Sequence, residues 1–156
     1  MQRLKREQFD AVLFDMDGVI TDTAVAHASA WKHLFDAYLA ERAQREHTDA
    51  RPFDDTAEYR AFVDGKPRYD GVQSFLESRG IELPWGDPDD GPDKETICGL
   101  GNRKDGYFNA WLDENTARVF PGTMEFLTAL RSAGILMAIF SASRNMHTVH
   151  RSAALD

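Results

Sequence analysis

The sequence has little cysteine and a deficit of basic residues, and each shortage excludes a class of protein. Cys98 is the only cysteine among the 156 residues, which excludes an intrachain disulfide framework and suits a reducing compartment. Lysine and arginine number 18 against 26 aspartates and glutamates, for a formal net charge of −8. A surface with that balance is poorly suited to neutralising nucleic-acid phosphates. We therefore expect a small substrate or a protein partner, and no nucleic acid.

The sequence also lacks a long apolar run. No stretch approaches the roughly 20 apolar residues that a membrane helix requires. The first apolar stretch, Ala11 to Phe14, follows a basic N-terminus but is far too short for the core of a signal peptide. The sequence thus predicts a soluble, cytoplasmic protein with no membrane partner, and its length allows one ordinary domain or two small ones.

Two short apolar runs indicate strands of a parallel sheet. The first, Ala11 to Phe14, is bounded by aspartates, and the second, residues 135–140, is followed at once by Ser141. Continuous apolar runs of this length are typical of strands that are buried on both faces. In open α/β sheets, ligands bind outside the carboxyl ends of the strands, so we expect Asp15, Asp17 and Ser141 to converge on one site.

The segments between and after these runs have helical patterns, with apolar residues at spacings of three and four. The acidic stretch at residues 86–93 does not match a calcium-binding loop and is predicted to be a solvated linker. Gly80 is predicted to end a helix in a left-handed conformation. The predicted helices run from about Thr23 to Arg45, from a capping box at Asp55 and Glu58 to Val63, from Tyr69 to Arg79, from Asn102 to Asn115, from Met124 to Gly134 and, capped by Ser143, to about Leu155.

Asp15 and Asp17 form a D-x-D pair at the end of the first strand. Two such carboxylates can do different work if their surroundings separate their pKa values, one staying ionised as a nucleophile or metal ligand and the other holding a proton. Gly18 lets the backbone turn and approach a ligand closely. Carboxylate oxygens suit Mg²⁺, and Ser141 with amides at a helix start suits phosphate. The pattern favours phosphoryl transfer to an aspartate, with ordinary turn chemistry as the alternative.

The stretch VLFDMDGVITDT resembles the first motif of the haloacid dehalogenase-like superfamily. Extended through HASAW, it is similar to the β-phosphoglucomutases and their close phosphatase relatives, and FSASRN resembles the second motif of the superfamily. The resemblance implies an α/β fold with a Rossmann-like parallel sheet core and a helical cap domain inserted after the first strand. It assigns residues 1–22 and 116–156 to an incomplete core and residues 23–115 to the cap.

The resemblance also implies a role for each matching residue. Asp15 would attack a phosphoryl group to form an aspartyl-phosphate, Asp17 would be the general acid and base, and both would contribute to a Mg²⁺ site. The substrate would be a small phosphorylated sugar, whose distal phosphate Arg68 would hold. The other implied substrate or phosphate contacts are Gly18, Thr23, His27, Trp31, Gly65, Lys104, Ser141, Ala142, Ser143, Arg144 and Asn145.

Four of these residues have purely structural alternatives. His27 on a helix face and Trp31 at helical spacing also fit a packed core. Arg68 and Lys104 also fit ordinary solvated positions. A phosphosugar in an acidic protein nevertheless requires local cations, and the planar fork of arginine suits a phosphate.

The third and fourth motifs of the superfamily, a lysine and an acidic pair, have no match in this sequence. Eleven residues follow Asn145, and none is lysine. We therefore expect a fragment that is poorly folded and inactive alone, because two strands bury too little apolar surface to stand by themselves. Three hypotheses follow for the function: a β-phosphoglucomutase, a sugar-phosphate phosphatase, or a non-catalytic remnant that a partner completes.

Overall fold

A computed structural model of the chain describes residues 6–48 and 50–141, together with residues 148, 149, 151 and 153. The chain divides into two compact units. We refer to Met1–Ala24 with Asn115–Asp156 as the sheet unit, and to Val25–Glu114 as the helical unit. Most of the helix predicted to follow Ser143 lies outside the described residues.

The helices and strands of the described part follow the apolar patterns of the sequence closely. In chain order they are β1 (Ala11–Asp15), α1 (Ala24–Glu46), a π-helical turn (Tyr59–Val63), α2 (Arg68–Ser78), α3 (Ile97–Glu114), α4 (Thr123–Ser132) and β2 (Leu136–Phe140). Helix α3 begins at Ile97 rather than at the predicted Asn102. None of the helices in the described ranges combines the length and the apolar character that crossing a bilayer requires.

Strands β1 and β2 pair in parallel, with Asp15 opposite Phe140. Their C-terminal ends therefore lie at the same edge of the sheet. The prediction that both strands are buried on both faces is wrong, because Leu13 is 73% exposed and Phe140 is 70% exposed. Among the described residues, one face of this two-stranded sheet is covered, where Phe14 packs with Leu130 of α4.

The helical unit is built around a cluster of aromatic side chains. The ring of Phe35 in α1 lies with its centroid 4.0 Å from that of Phe75, 5.0 Å from that of Phe53 and 5.2 Å from that of Trp31. All four rings are buried. The amphipathic pattern predicted for α1 is confirmed, since its buried positions recur at spacings of three and four.

The short helix that was predicted to start at Asp55 is capped one residue earlier. The Asp54 carboxylate accepts hydrogen bonds from the backbone N–H of Thr56 at 2.8 Å and of Ala57 at 2.7 Å. The Glu58 carboxylate accepts the N–H of Asp54 at 2.9 Å in return. Asp54 caps this turn and pairs reciprocally with Glu58, four residues on, so the predicted capping box at Asp55 and Glu58 is wrong in its first residue and in its spacing.

Helix α2 ends as its sequence predicts. Gly80 adopts a left-handed conformation with φ at 67°, and the N–H of Ile81 donates to the carbonyl of Leu76 at 2.9 Å. This arrangement satisfies a carbonyl that the last helical turn leaves without an intrahelical donor. At the other end, Arg68 is the first residue of α2 and not part of the preceding loop, so the predicted start is one residue too late.

The acidic stretch at residues 86–93 is not wholly a solvated linker. Asp90 is 7% exposed, and its carboxylate accepts hydrogen bonds from the Lys94 ammonium at 2.6 Å, the N–H of Asp87 at 3.1 Å and the Thr96 hydroxyl at 2.8 Å. The bond from Lys94 and the two others lower the pKa of Asp90 to about 2. The prediction is wrong for Asp90, because this carboxylate folds the loop onto the start of α3.

Candidate functional site

The candidate residues of the sheet unit meet at the C-terminal end of β1. Asp15 is the last residue of the strand, and its exposed carboxylate accepts the N–H of Met16 at 2.8 Å. Asp17 is half-buried, and its Oδ1 accepts a hydrogen bond from the Thr23 hydroxyl at 2.5 Å. The Ser141 hydroxyl lies 3.5 Å from Oδ2 of Asp17. The fold therefore brings Asp17, Thr23 and Ser141 together and gives the two carboxylates different surroundings.

A tight turn after Asp17 returns the chain so that Thr23 can reach it. Gly18 adopts a φ of 77°, which favours glycine, and its N–H donates to the carbonyl of Thr21 at 2.8 Å. The hydroxyl of Thr21 is fully buried and donates to the carbonyl of Met16 at 3.1 Å. Gly18 thus shapes the turn that places Thr23, which is also buried, beside the second carboxylate.

The same turn is joined to the segment through which the chain re-enters the sheet unit. The N–H of Asp22 donates to the carbonyl of Arg118 at 2.8 Å, and the N–H of Phe120 donates to the carbonyl of Ile20 at 3.1 Å. The residues just before α1 and those after α3 are therefore held side by side. This pairing fixes the backbone around Thr23.

Within the helical unit, His27, Trp31 and Lys104 form one cluster. The Lys104 ammonium lies 2.9 Å from Nδ1 of His27, whose ring stacks on Phe108 at a centroid distance of 4.3 Å. The ammonium also lies 4.8 Å from the centroid of Phe108 and 5.4 Å from that of Trp31, a cation–π arrangement. Lys104 is 4% exposed, so its alternative as an ordinary solvated charge is wrong.

The cluster around Lys104 also contributes to the packing of the helical unit. Trp31 contributes to packing, because it is 4% exposed and a Cβ atom at Gly71 would lie 3.1 Å from its ring. The roles of His27, Trp31 and Lys104 in substrate binding stay predictions.

Arg68 is held by residues that the sequence did not single out. Its Nη1 lies 3.0 Å from Oδ1 of Asp105, and its Nη2 lies 3.0 Å from Oδ1 of Asn102 and 3.0 Å from the Tyr69 hydroxyl. The side chain is only 17% exposed, so Arg68 is not an ordinary solvated charge. The three-residue spacing of Asn102 and Asp105 on a predicted helix was the available signal, since such residues share a face. Gly65 precedes this group, with φ at 69°.

The second motif of the sequence is described only at its first serine. Ala142, Ser143, Arg144 and Asn145 lie outside the described residues. Within the described part, no group of three or more His, Cys, Asp or Glu side chains is arranged to hold a metal ion. Mg²⁺ is commonly bound through one or two carboxylates, with waters and substrate phosphates as its other ligands. The exposed carboxylate of Asp15 offers the hard oxygen atoms that Mg²⁺ prefers, so the chemistry of the strand end fits this ion.

Comparison with known proteins assigns the family. The family model described as haloacid dehalogenase-like hydrolase matches residues 9–155, and the chain therefore belongs to this family of enzymes. Its α/β fold is shared by the β-phosphoglucomutase from Clostridium difficile, a solved structure with a TM-score of 0.68 and 26% identity that covers 92% of this chain and 56% of that one. The family and the fold class predicted from the sequence are confirmed.

The curated relatives that the chain resembles include two bacterial proteins named β-phosphoglucomutase. It is 50% identical over 150 residues to that of Mycobacterium bovis, and the aligned region covers 96% of this chain and 57% of the relative. It is 30% identical over 146 residues to that of Bacillus subtilis, and the aligned region covers 93% of this chain and 56% of the relative. The chain thus spans somewhat more than half the length of these relatives.

Proposed function

We propose that the protein transfers phosphoryl groups on a small phosphorylated sugar through an aspartyl-phosphate, as a β-phosphoglucomutase that converts β-glucose 1-phosphate to glucose 6-phosphate. The observation that carries this proposal is the contrast between the two strand-end carboxylates. Asp15 is exposed, as a nucleophile must be, whereas Asp17 accepts a short hydrogen bond from Thr23. The 50% identity to a protein named β-phosphoglucomutase supports the choice of reaction and sugar.

In the proposed cycle, Asp15 starts as the phosphorylated residue and Asp17 moves the protons. The 6-hydroxyl oxygen of β-glucose 1-phosphate attacks the phosphorus on Asp15, while Asp17 takes the hydroxyl proton. The bisphosphate then turns round, and the freed carboxylate of Asp15 attacks the phosphoryl group at C1. The bond from phosphorus to the C1 oxygen breaks, Asp17 returns its proton to that oxygen, and glucose 6-phosphate leaves.

The remaining roles in this proposal follow from the chemistry of each side chain. Thr23 orients Asp17, since its hydroxyl donates to the carboxylate. Mg²⁺, which Asp15 and Asp17 would hold together with phosphate oxygens, would neutralise charge on the transferred group. We assign Arg68 to the distal phosphate. The other proposed contacts to substrate or phosphate are Gly18, His27, Trp31, Gly65, Lys104, Ser141, Ala142, Ser143, Arg144 and Asn145.

We also propose that the two compact units carry separate parts of this work. In this assignment, residues 1–22 and 116–156 belong to the catalytic core, and residues 23–115 belong to a cap that excludes water from the aspartyl-phosphate. The two carboxylates belong to the sheet unit, whereas Arg68 and Lys104 belong to the helical unit. The proposal therefore divides chemistry from substrate recognition along the chain.

The test is a product assay on the purified full-length protein with β-glucose 1-phosphate, a glucose bisphosphate primer and Mg²⁺, because the 156 residues by themselves are expected to be inactive. We expect glucose 6-phosphate to form faster than inorganic phosphate, and a chelator to stop the reaction until Mg²⁺ is restored. Inorganic phosphate as the main product would support the second hypothesis, a sugar-phosphate phosphatase in which water attacks the aspartyl-phosphate. Undiminished turnover by an Asp15→Asn variant would refute both.

A further inference from the structure

Asn102 joins Arg68 to the acidic loop of the helical unit. Its side-chain oxygen lies 3.0 Å from Nη2 of Arg68 and 3.0 Å from the Tyr69 hydroxyl. Its side-chain nitrogen donates to the carbonyl of Pro88 at 3.0 Å and to that of Asp90 at 2.8 Å. The amide nitrogen donates to two carbonyl oxygens, and the amide oxygen accepts from a guanidinium and a hydroxyl. Only one orientation of the amide therefore satisfies all four partners.

The loop that receives Asn102 is fixed from within. The buried carboxylate of Asp90 accepts hydrogen bonds from Lys94, Thr96 and the backbone of Asp87. The Thr96 hydroxyl in turn accepts the N–H of Gly99 at 2.9 Å, which ties the loop to the first turn of α3. The carbonyl oxygens that hold the Asn102 nitrogen are thereby fixed relative to the helix that carries Asn102.

On its other side, the amide helps to fix the plane of a guanidinium. The two terminal nitrogens of Arg68 are directed to different partners, Nη1 to Asp105 and Nη2 to Asn102 and Tyr69. The guanidinium carbon lies 4.8 Å from the centroid of the Tyr69 ring. A side chain held in this way loses less conformational freedom when an anion binds, which raises affinity without any new contact to that anion.

Gly101 makes this close approach of α2 to α3 possible. A Cβ atom at Gly101 would lie 2.5 Å from Cδ1 and 2.8 Å from Cε1 of the Tyr69 ring. Any other residue at this position would displace Tyr69, whose hydroxyl lies between the guanidinium and the amide. Gly101 therefore leaves space for the Tyr69 ring, and the adjacent Asn102 bonds the hydroxyl of that ring.

We propose that Asn102 is a positioning residue that fixes the guanidinium plane of Arg68 for an incoming phosphate group. Asn102 acts through Arg68, with Asp105 as the partner on the other terminal nitrogen. The identity of the anion as a phosphate rests on the function proposed above, whereas the immobilisation of the guanidinium does not. The two parts can therefore be tested separately.

The first experiment measures rotation of the Arg68 guanidinium by ¹⁵N NMR in the 156-residue chain without any ligand. We expect rotation about ten times faster in Asn102→Ala than in the unaltered chain, because the loss of a hydrogen bond to a charged group has an effect of about this size. Asn109→Ala, the same substitution two turns further along α3, is the matched control and should leave the rotation unchanged. Equal rotation in Asn102→Ala and the unaltered chain would overturn the proposal.

Arg79 serves as an internal reference in the same spectra. Its Nε and Nη2 are held by Glu58 at 2.9 Å and 2.7 Å, within the same helical unit. Its signals should not change in Asn102→Ala, and a change of equal size at Arg79 would show general loosening, which contradicts a specific positioning role. Tyr69→Phe, which removes one hydroxyl and keeps the ring, should give a smaller acceleration at Arg68 even if Asn102→Ala fails to fold.

The second experiment measures kcat and KM for β-glucose 1-phosphate in the full-length protein. We expect Asn102→Ala to raise KM about tenfold with little change in kcat, because in this proposal Asn102 acts only on the binding of the distal phosphate and takes no part in the chemical step. An unchanged KM in Asn102→Ala, with a raised KM in Arg68→Ala, would overturn the positioning role alone. An unchanged KM in Arg68→Ala itself would instead refute the proposed phosphate contact, whatever the rotation of the guanidinium.

Discussion

The helical unit buries its apolar residues well, whereas the sheet unit leaves a large part of its apolar surface exposed. In the helical unit, Phe35 and Phe75 are fully buried at the centre of a continuous cluster. In the sheet unit, Leu13, Leu136 and Phe140 are 73%, 71% and 70% exposed. Most of the apolar packing therefore belongs to one unit and the proposed chemistry to the other. The unit with the larger buried cluster contains most of the fully buried aromatic rings, and the unit with the smaller one carries the two carboxylates.

The largest expected effect concerns activity and arises in the sheet unit. Asp15→Asn should lower kcat for glucose 6-phosphate formation by at least about 10⁴-fold, because an amide cannot act as the nucleophile. The free energy of unfolding should change by less than about 0.5 kcal/mol, since the side chain is exposed. Coupled-enzyme kinetics and urea denaturation measure the two quantities. A large loss of stability in Asp15→Asn would contradict the conclusion that this residue serves chemistry and not packing.

The next effect concerns stability and compares one substitution in both units. Phe35→Ala should lower the free energy of unfolding by about 3 to 5 kcal/mol, since it empties the centre of the aromatic cluster. Phe126→Ala in the sheet unit should cost only about 1 kcal/mol, because that ring is 43% exposed and touches Phe14 edge-on at 6.0 Å. Equal losses in urea denaturation would show that the two units do not differ in packing.

A smaller change in stability is expected at two glycines of helix α3, with opposite signs. Gly101→Ala should destabilise the protein by about 1 to 3 kcal/mol, because the new methyl group would collide with the Tyr69 ring. Gly106→Ala on the same helix should stabilise it by about 0.5 to 1 kcal/mol, because a Cβ there has no atom within 4 Å and alanine favours helix. Thermal unfolding of both variants checks the opposite signs, and two changes of the same sign would contradict the close contact.

The smallest effect concerns the dependence of stability on pH. The pKa of Asp90 is lowered from its ordinary value of 3.8 to about 2, so its carboxylate stabilises the folded state above about pH 4 and loses this contribution as the pH falls toward 2. Asp90→Asn should therefore flatten the decline of stability between pH 4 and pH 2 in chemical denaturation. Asp89→Asn, an exposed carboxylate of the same loop, is the matched control. An unaltered decline in Asp90→Asn would contradict the buried hydrogen bonds.

The positions of the main elements could be predicted because the signals are local. Apolar spacing predicted a helix from Thr23 to about Arg45, and the structure has α1 at Ala24–Glu46. The exposure of the strands could not be predicted in the same way. The apolar run at Ala11 to Phe14 predicts a strand but not which of its faces is buried. Burial depends on what covers each face of the sheet, and α4 covers one of them.

The candidate site shows the same limit. The proximity of Asp17 and Ser141 followed from the parallel pairing of two recognisable strands. The contact between Arg68 and Asn102 did not follow from any motif, because the two residues are 34 positions apart and meet only through the packing of α2 on α3. The catalytic and binding roles, and the assignment of a core and a cap, remain predictions for the experiments above.

The pairing of the segments on either side of the helical unit has a consequence for how such proteins diversify. The chain leaves the sheet unit at Ala24 and returns at Asn115, and backbone hydrogen bonds from Asp22 to Arg118 and from Phe120 to Ile20 hold the two crossing points together. Closing a chain segment becomes only slowly more unfavourable as the segment lengthens. An insertion whose ends are already side by side can therefore be enlarged, trimmed or exchanged by recombination while the strand end and its carboxylates keep their geometry.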